Sequence, residues 1–354
     1  MKKADSHNII PIGPSPITIW DNLNRPLTDL RISVMDKCNF RCPYCMPEDS
    51  FNDSYRFLKQ GERLSFGEIN RLVRIFSRLG VKKVRLTGGE PLLRKGLPNL
   101  INGLSNIEGI EDIALTTNGA LLGDQAAALK QAGLHRVTVS LDSVDPKIFL
   151  RMTGGKGALN DVLDGINKAQ EAGLKPIKIN TVVQRGVNDS AIIELLKRFR
   201  HSGIIVRLIE YMDVGTLNKW AFSKTIASTD LERQINAIWP LKSVASNSAE
   251  EVSSRHIYQD GGGEIGFISS ISKPFCGDCS RARISSDGKL YTCLFSNSGF
   301  DLKKLLRSGS SDLEIEHTIR SRWSKRGDRY SEERAENKNT ELSNNRIEMF
   351  HIGG

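Results

Sequence analysis

From residue 29 to residue 211, apolar positions recur with two periods, two and three-to-four, and the two take turns. DLRISVMD (29–36) reads as a strand. Ile69, Leu72, Val73, Phe76 and Leu79 then form one apolar stripe, which predicts a helix over 65–79. Its ends are marked: Ser65 and Glu68 make a capping box, Leu64 can staple onto Ile69, and Gly80 stops it. VKKVRLT (81–87) is the next strand, and Leu97, Leu100, Ile101 and Leu104 repeat the helical spacing. DIALTT (112–117) is a strand followed by a helix up to Gly133. RVTVSL (136–141) precedes a helix near 160–172, PIKINTVV (176–183) precedes a helix near 190–201, and IIVRLIEY (204–211) ends the series.

Strands that alternate with helices in this way build a parallel sheet with helices outside. Six units suit an incomplete barrel or a doubly wound sheet. CNFRCPYC, TGGEP, TTNG and SLDS follow the C-terminal ends of successive strands. In βα barrels that is the end where chemistry gathers. The expected fold is therefore α/β, an incomplete TIM-like (βα)6 barrel over 29–215. An irregular arm precedes it at 1–28, where Pro11, Pro14 and Pro16 oppose regular structure. A C-terminal region, 216–354, follows. Within it 244–264, rich in Ser, Glu and Gly, reads as a loop, and 335–346 as a polar, mobile segment without a motif.

The 354 residues are 39% hydrophobic, enough to bury a sizeable core. No apolar run reaches the roughly 18 residues of a membrane span. The N-terminus lacks the apolar stretch of a signal peptide, so the cytoplasm is the expected compartment. The net charge of +9 fits plain solubility, or an anionic partner such as a nucleotide, a phosphorylated metabolite or RNA.

Six cysteines fall in two trios, Cys38, Cys42 and Cys45, then Cys276, Cys279 and Cys293. In a reducing compartment such trios point to metal rather than disulfides, and each leaves an odd cysteine if paired within itself. The first, C-x3-C-x2-C directly after a strand, can wrap one compact site. Structural zinc usually takes four ligands, and so does a 4Fe–4S cluster. With no fourth cysteine nearby, one iron of such a cluster stays open to a small ligand. The plainer alternative is zinc completed by a distant His or Asp. The second trio, C-x2-C-x13-C, encloses Arg281 and Arg283. Its residues alone fit a zinc ribbon with an outside ligand as well as a second cluster. Its arginines fit nucleic acid and nucleotide phosphate equally. The six histidines form no ligand spacing, and no carboxylate–histidine constellation for proton transfer or hydrolysis stands out.

CNFRCPYC, with Tyr44 before the last cysteine, and Gly88-Gly89-Glu90-Pro91 after a strand resemble the radical S-adenosylmethionine (SAM) superfamily. DLRISVMDKCNFRCPYCMP, KVRLTGGEPLLR, TTNG, SLDS, VRLIEYMDVG, the second trio and the terminal Gly353-Gly354 extend the resemblance to the GTP 3′,8-cyclases of molybdenum cofactor biosynthesis. It covers nearly the whole chain from Asp29.

The resemblance implies a lyase that uses SAM and two 4Fe–4S clusters. SAM binds the open iron of the first, held by Cys38, Cys42 and Cys45. An electron splits its carbon–sulfur bond, and the 5′-deoxyadenosyl radical takes hydrogen from C3′ of GTP, which then closes onto guanine C8. The second cluster, on Cys276, Cys279 and Cys293, would hold the guanine. SAM would touch Tyr44, Gly89, Ser140 and Met212, with its amino group on backbone and carboxylate oxygens of the GGEP turn. GTP would touch Arg31, Arg85, Thr116, Lys178, Arg281, Ala282 and Arg283, with Lys83 a further phosphate contact. Asn118 and Asn180 sit near the same rim without an assigned role, and the Gly353-Gly354 tail would reach toward the site. Implied partners are GTP, an electron donor and a downstream cyclic pyranopterin monophosphate synthase. There is room for a homodimer, and neither a membrane nor nucleic acid is expected as a partner. Two rivals stand beside this reading: a radical SAM enzyme acting on RNA or a peptide, and a non-enzymatic zinc protein that binds nucleic acid.

Overall fold

Ser65 accepts the Glu68 amide and Glu68 accepts the Ser65 amide, so the capping box starts helix α1 (Phe66–Arg78) where the sequence places it. This computed structural model describes residues 17–246, 251–336 and 346–353. The six expected strands are β1 (Asp29–Ser33), β2 (Lys83–Thr87), β3 (Asp112–Thr117), β4 (Arg136–Ser140), β5 (Ile177–Val183) and β6 (Ile205–Glu210). Between them lie α1, α2 (Leu97–Ser105), α3 (Leu122–Gln131), α4 (Pro146–Met152), α5 (Leu159–Glu171) and α6 (Ile192–Phe199). The pattern reading did not anticipate the short α4, which starts from the Asp145 cap with Pro146 in its first turn.

Each of these strands pairs in parallel with the next, in chain order from β1 to β6. A doubly wound sheet would reverse its order at a switch point. No reversal occurs here, so the open-barrel expectation holds. Leu30, Ile32, Val84, Leu86, Val137, Val139, Ile177 and Ile179 are buried in the main core with the helices. The alternate residues on the same strands are therefore left to face the barrel interior.

The C-terminal region contributes α7 (Ser228–Ile238), β7 (Leu241–Val244), β8 (Ser254–Tyr258), β9 (Glu264–Ile268), β10 (Arg281–Ile284), β11 (Lys289–Tyr291), β12 (Phe300–Asp301), α8 (Leu302–Arg307), α9 (Asp312–Ser324), α10 (Tyr330–Glu336) and α11 (Met349–Ile352). Strand β9 adds in parallel to β6, and β10 adds in parallel to β1, so both open edges of the six-stranded unit are covered. The loop expected over 244–264 is corrected: β8 crosses it and pairs antiparallel with β7 and β9. On β8 only His256 and Tyr258 are buried, and the exposed and half-buried residues between them masked a strand with one wet face. Residues 247–250 lie outside the described residues. Of the segment expected to be polar and mobile, residues 335 and 336 end α10 and Arg346 is buried against Asp213; 337–345 lie outside the description.

Pro11, Pro14 and Pro16 also lie outside the described residues, but residues 17–28 are docked. Ile17 donates to the Arg78 carbonyl, and Asp21 accepts the Leu23 and Arg25 amides. The same carboxylate receives Arg25 Nε at 2.6 Å and Arg326 Nη1 at 3.0 Å, with both arginine side chains 1% exposed. Arg25 donates to the carbonyls of Cys276 and Asp328, and Arg326 to those of Cys279 and Thr292. One acid thus neutralises two buried cations that hold the backbone of the second cysteine trio.

Asp21→Asn leaves the Arg25 guanidinium buried without its charge partner and Arg326 with only the longer contact to Asp328 at 3.5 Å. It is expected to destabilise the protein by roughly 3–5 kcal/mol. Urea unfolding checks this, and an unchanged midpoint contradicts it.

Candidate active site

Strand register decides which side chains meet inside the barrel. Arg31 lies beside Arg85 and Arg283, Thr116 beside Thr138, Thr138 beside Lys178, and Asn180 beside Arg207. One cavity is lined by Arg31, Arg85, Thr116, Thr138, Ser140, Asn180 and Arg207 from the barrel strands. Arg281 and Arg283 enter it from β10, together with Cys276, Cys279 and Cys293. Tyr44 and Met212 join from the C-terminal ends of the barrel strands, and Met349 from the tail.

Most residues named by the resemblance therefore share one space, but the first cysteine trio, Gly89, Lys178, Ala282 and Lys83 do not line it. Ala282 alternates with Arg281 and Arg283 and is fully buried in the core. Gly89 packs against the Met35–Lys37 backbone instead, donating to the Met35 carbonyl at 2.7 Å. Lys178 lies off the cavity wall, within electrostatic reach of Arg207, Arg136 and Arg85. Lys83 registers between Asp29 and Asp112, at the starts of the strands.

The cavity is short of negative charge. Burial, with Arg281 as neighbour, pushes Arg31 down to about 10. Burial, with Arg136 and Arg31, pushes Arg85 down to about 9. Arg207 and Arg283 are also lowered, first by burial. Arginine keeps its proton regardless, so these are buried cations with other cations among their neighbours. Lys178 is driven to about 7 by burial and by Arg207. Arg85 is held in place by donating to Thr116 Oγ1 at 3.0 Å and Thr138 Oγ1 at 3.2 Å. At the foot of the strands Arg136 is instead paired with Asp112.

The first trio occupies a loop after β1. Cys45 donates its amide to the Cys42 carbonyl, and the Phe40 amide points at Cys38 Sγ from 3.4 Å. Arg41 Nη1 clamps the carbonyls of Cys38 and Phe40, each at 2.8 Å. All six thiols are free. Burial pushes Cys38 up to about 11, with Glu90 adding to it. Burial also raises Cys42 and Cys45, followed by repulsion from a neighbouring sulfur of the trio. Buried and crowded together, these thiols ionise only against a cationic centre. Among the described residues, no three such ligand side chains converge tightly enough for a single ion. Three free cysteines within eight residues of one loop are the thiol donors that a four-iron cluster takes.

The TGGEP turn serves this loop. Besides the Gly89 bond, the Glu90 amide donates to the Lys37 carbonyl at 2.7 Å. A Cβ at Gly89 would stand 2.3 Å from the Lys37 oxygen, so the close approach that demands glycine is to the chain itself. The Glu90 carboxylate, expected together with backbone oxygens to take the SAM amine, is engaged within the chain. Glu90 is 0% exposed and accepts Thr117 Oγ1 and the amides of Leu92 and Asn118. It ties TGGEP to TTNG, and Asn118 in turn donates to Asn39 at 2.7 Å, beside Cys38.

At the second trio burial opposes ionisation of Cys279. Arg281 and Arg326 outweigh it and bring the thiol down to about 6. The tail lies alongside: Arg283 Nη1 donates to the Gly353 carbonyl at 2.6 Å. Gly354 falls outside the described residues.

Sequence reading missed Arg207, Thr138 and Asp142. Parity with Ile209 on the same strand, and with Arg136 and Ser140 on β4, would have put the first two in the interior. Asp142 accepts Tyr44 Oη at 2.7 Å and the Val182 amide at 2.8 Å, and only the tertiary fold brings these together.

Comparison with known proteins agrees with this geometry. Residues 32–199 match the radical SAM superfamily, and residues 204–332 match the Molybdenum Cofactor Synthesis C family. GTP 3′,8-cyclase of Xanthomonas axonopodis pv. citri (strain 306) is 53% identical over 94% of this chain and 98% of its own. That of Staphylococcus carnosus (strain TM300) is 45% identical over 95% and 99%. In fold the chain resembles Streptococcus suis SuiB bound to S-adenosylmethionine, with a TM-score of 0.59 at 18% identity, over 84% of this chain and 69% of that one. Identity of that extent over almost the full length makes the chain a member of the GTP 3′,8-cyclase family, a radical SAM enzyme that works with SAM and a 4Fe–4S cluster.

Proposed function

We propose that the protein converts GTP to (8S)-3′,8-cyclo-7,8-dihydroguanosine 5′-triphosphate, the first step of molybdenum cofactor biosynthesis. One observation carries this reading. A single cavity is bounded by Tyr44 from the first cysteine loop, by all three cysteines of the second, and by a wall of under-neutralised cations between them.

On this reading Cys38, Cys42 and Cys45 hold the SAM cluster, and Cys276, Cys279 and Cys293 hold a second one. When bound, the first cluster and SAM supply a 5′-deoxyadenosyl radical that takes hydrogen from ribose C3′, so that C3′ can bond to guanine C8. The rest of the work falls to side chains. Tyr44 is fixed by Asp142, and Ser140 and Met212 stand on the same side to receive SAM. The TGGEP turn, Gly89 included, holds the first cysteine loop in place and leaves backbone for the SAM amine. Arg31, Arg85, Arg207, Arg281 and Arg283 hold the triphosphate, whose oxygens suit their planar forks. Thr116 orients Arg85, Lys178 adds charge from below, and Ala282 contributes backbone alone. The tail closes the site by its carbonyl on Arg283. The same reading places the enzyme in the cytoplasm, with a separate electron donor and a pyranopterin-forming synthase downstream. No helix among the described residues is long and apolar enough to cross a membrane.

The anaerobically reconstituted protein is expected to carry inorganic sulfide and to form 5′-deoxyadenosine from SAM and reductant only when GTP is present. Cys38→Ala should abolish SAM cleavage. Cys276→Ala should chiefly impair GTP placement, raising KM for GTP while the first cluster's absorbance stays. Full cyclisation by Cys276→Ala contradicts that division of roles.

The Lys178 shift gives a pH dependence. Its midpoint near 7 leaves the amine largely neutral at pH 8, while an adjacent triphosphate favours the ammonium. Binding should therefore take up a proton above pH 7, and affinity should fall as pH rises toward 9. Calorimetry in buffers of different ionisation heat measures the uptake. Lys178→Met should remove it; an identical uptake in that variant contradicts the assignment.

A further inference from the structure

Among the acids near the cavity cations, Glu251 is the one paired with Arg207, and the proposed reaction does not use it. Glu251 lies between β7 and β8, just before Val252, which lines the cavity. Its Oε1 stands 3.6 Å from Arg207 Nη2, and the two side chains are 11% and 14% exposed. Ser253, two residues on, is seated closely: at Gly266 on β9 an added Cβ would lie 2.3 Å from Ser253 Oγ and 3.3 Å from Arg207 Cγ. Glu251 also favours the charged forms of Lys178 and Arg255, but Arg255 has a partner of its own in Glu264.

The geometry of this contact is incomplete. At 3.6 Å the pair is within Coulomb range but beyond a good hydrogen bond. A triphosphate oxygen can do better, because it can approach the same guanidinium directly and in a fork. Without Glu251, Arg207 would keep only the more distant Glu264 against Arg136 and Arg255, and Lys178 would face Arg207, Arg136 and Arg85, which is costly for buried cations.

We propose that Glu251 is a built-in counter-ion that stands in for substrate phosphate on Arg207 and is displaced when the triphosphate arrives. This rests on the reading of the cavity as a GTP site. Exchange of one anion for another keeps Arg207 neutralised in both states. It also weakens binding of substrate and product alike, so that the phosphate tail is held without being trapped. Glu251 is thus a specificity residue for the number of phosphates, not a group that touches the reacting atoms.

The test measures binding of GTP, GDP, GMP and guanosine to the reconstituted protein without reductant, so that no turnover occurs. Glu251→Gln is expected to tighten GTP about tenfold, GDP less and GMP less still, and to leave guanosine unchanged. Glu251→Asp should behave as wild type. An unaltered guanosine affinity shows that the variant cavity is intact. Equal GTP affinity in Glu251→Gln and wild type, or a gain that ignores phosphate number, overturns the counter-ion role while the GTP site stands. Weaker GTP binding by Glu251→Gln overturns it too, since Glu251 would then be ordering Arg207. If the wild type itself binds no GTP, the functional reading falls and the counter-ion falls with it.

Discussion

Buried positive charge must be answered by negative charge, and the interior of this barrel is built around that requirement. Register sets Arg31 against Arg85 and Arg283, and no carboxylate of the wall meets them directly. Where the chain needs stability alone it answers the charge itself. Asp21 neutralises Arg25 and Arg326, Asp112 neutralises Arg136, and Asp213 takes Arg346. Where it needs a substrate it leaves the answer partial. The contrast separates structural arginines from those that await an anion more clearly than exposure does, because both kinds are buried.

The same charge logic links the two ends of the cavity. Arg281 sits in the wall and also favours the thiolate of Cys279. Arg326 does so from the other side while it anchors the Cys279 carbonyl and answers to Asp21. The N-terminal arm, the second cysteine loop and α9's trailing turn are therefore one electrostatic unit. The first cysteine loop is held differently, by backbone bonds from the TGGEP turn and by the Arg41 clamp. One loop thus relies on long-range ion pairs and the other on local geometry.

That difference also explains what the sequence discloses. Periods of two and of three-to-four are local, so the order of the βα units, the capping box at Ser65 and the two cysteine loops could be read directly. The covering of β1 by β10 and of β6 by β9 could not, because the first pairing spans most of the chain, the second skips β7 and β8, and neither leaves a periodic mark. Strand β8 was hidden by its wet face. Asp21 looks like an ordinary polar residue in an arm until Arg326 reaches it from 305 residues away. Glu90 shows the converse: its motif was legible, but its carboxylate serves the protein's own turns. Arg31, Arg85, Arg281 and Arg283 were legible through resemblance, whereas Arg207 needed only strand parity.

The central claim is that radical generation and nucleotide binding share one cavity, with ribose C3′ placed toward Tyr44 and the cations holding the phosphates. Anaerobic turnover with SAM, reductant and GTP deuterated at C3′ tests it most directly. The account predicts that deuterium appears in 5′-deoxyadenosine, in step with the cyclised product. Deuterium retained in the nucleotide, or hydrogen taken from another carbon, would contradict it.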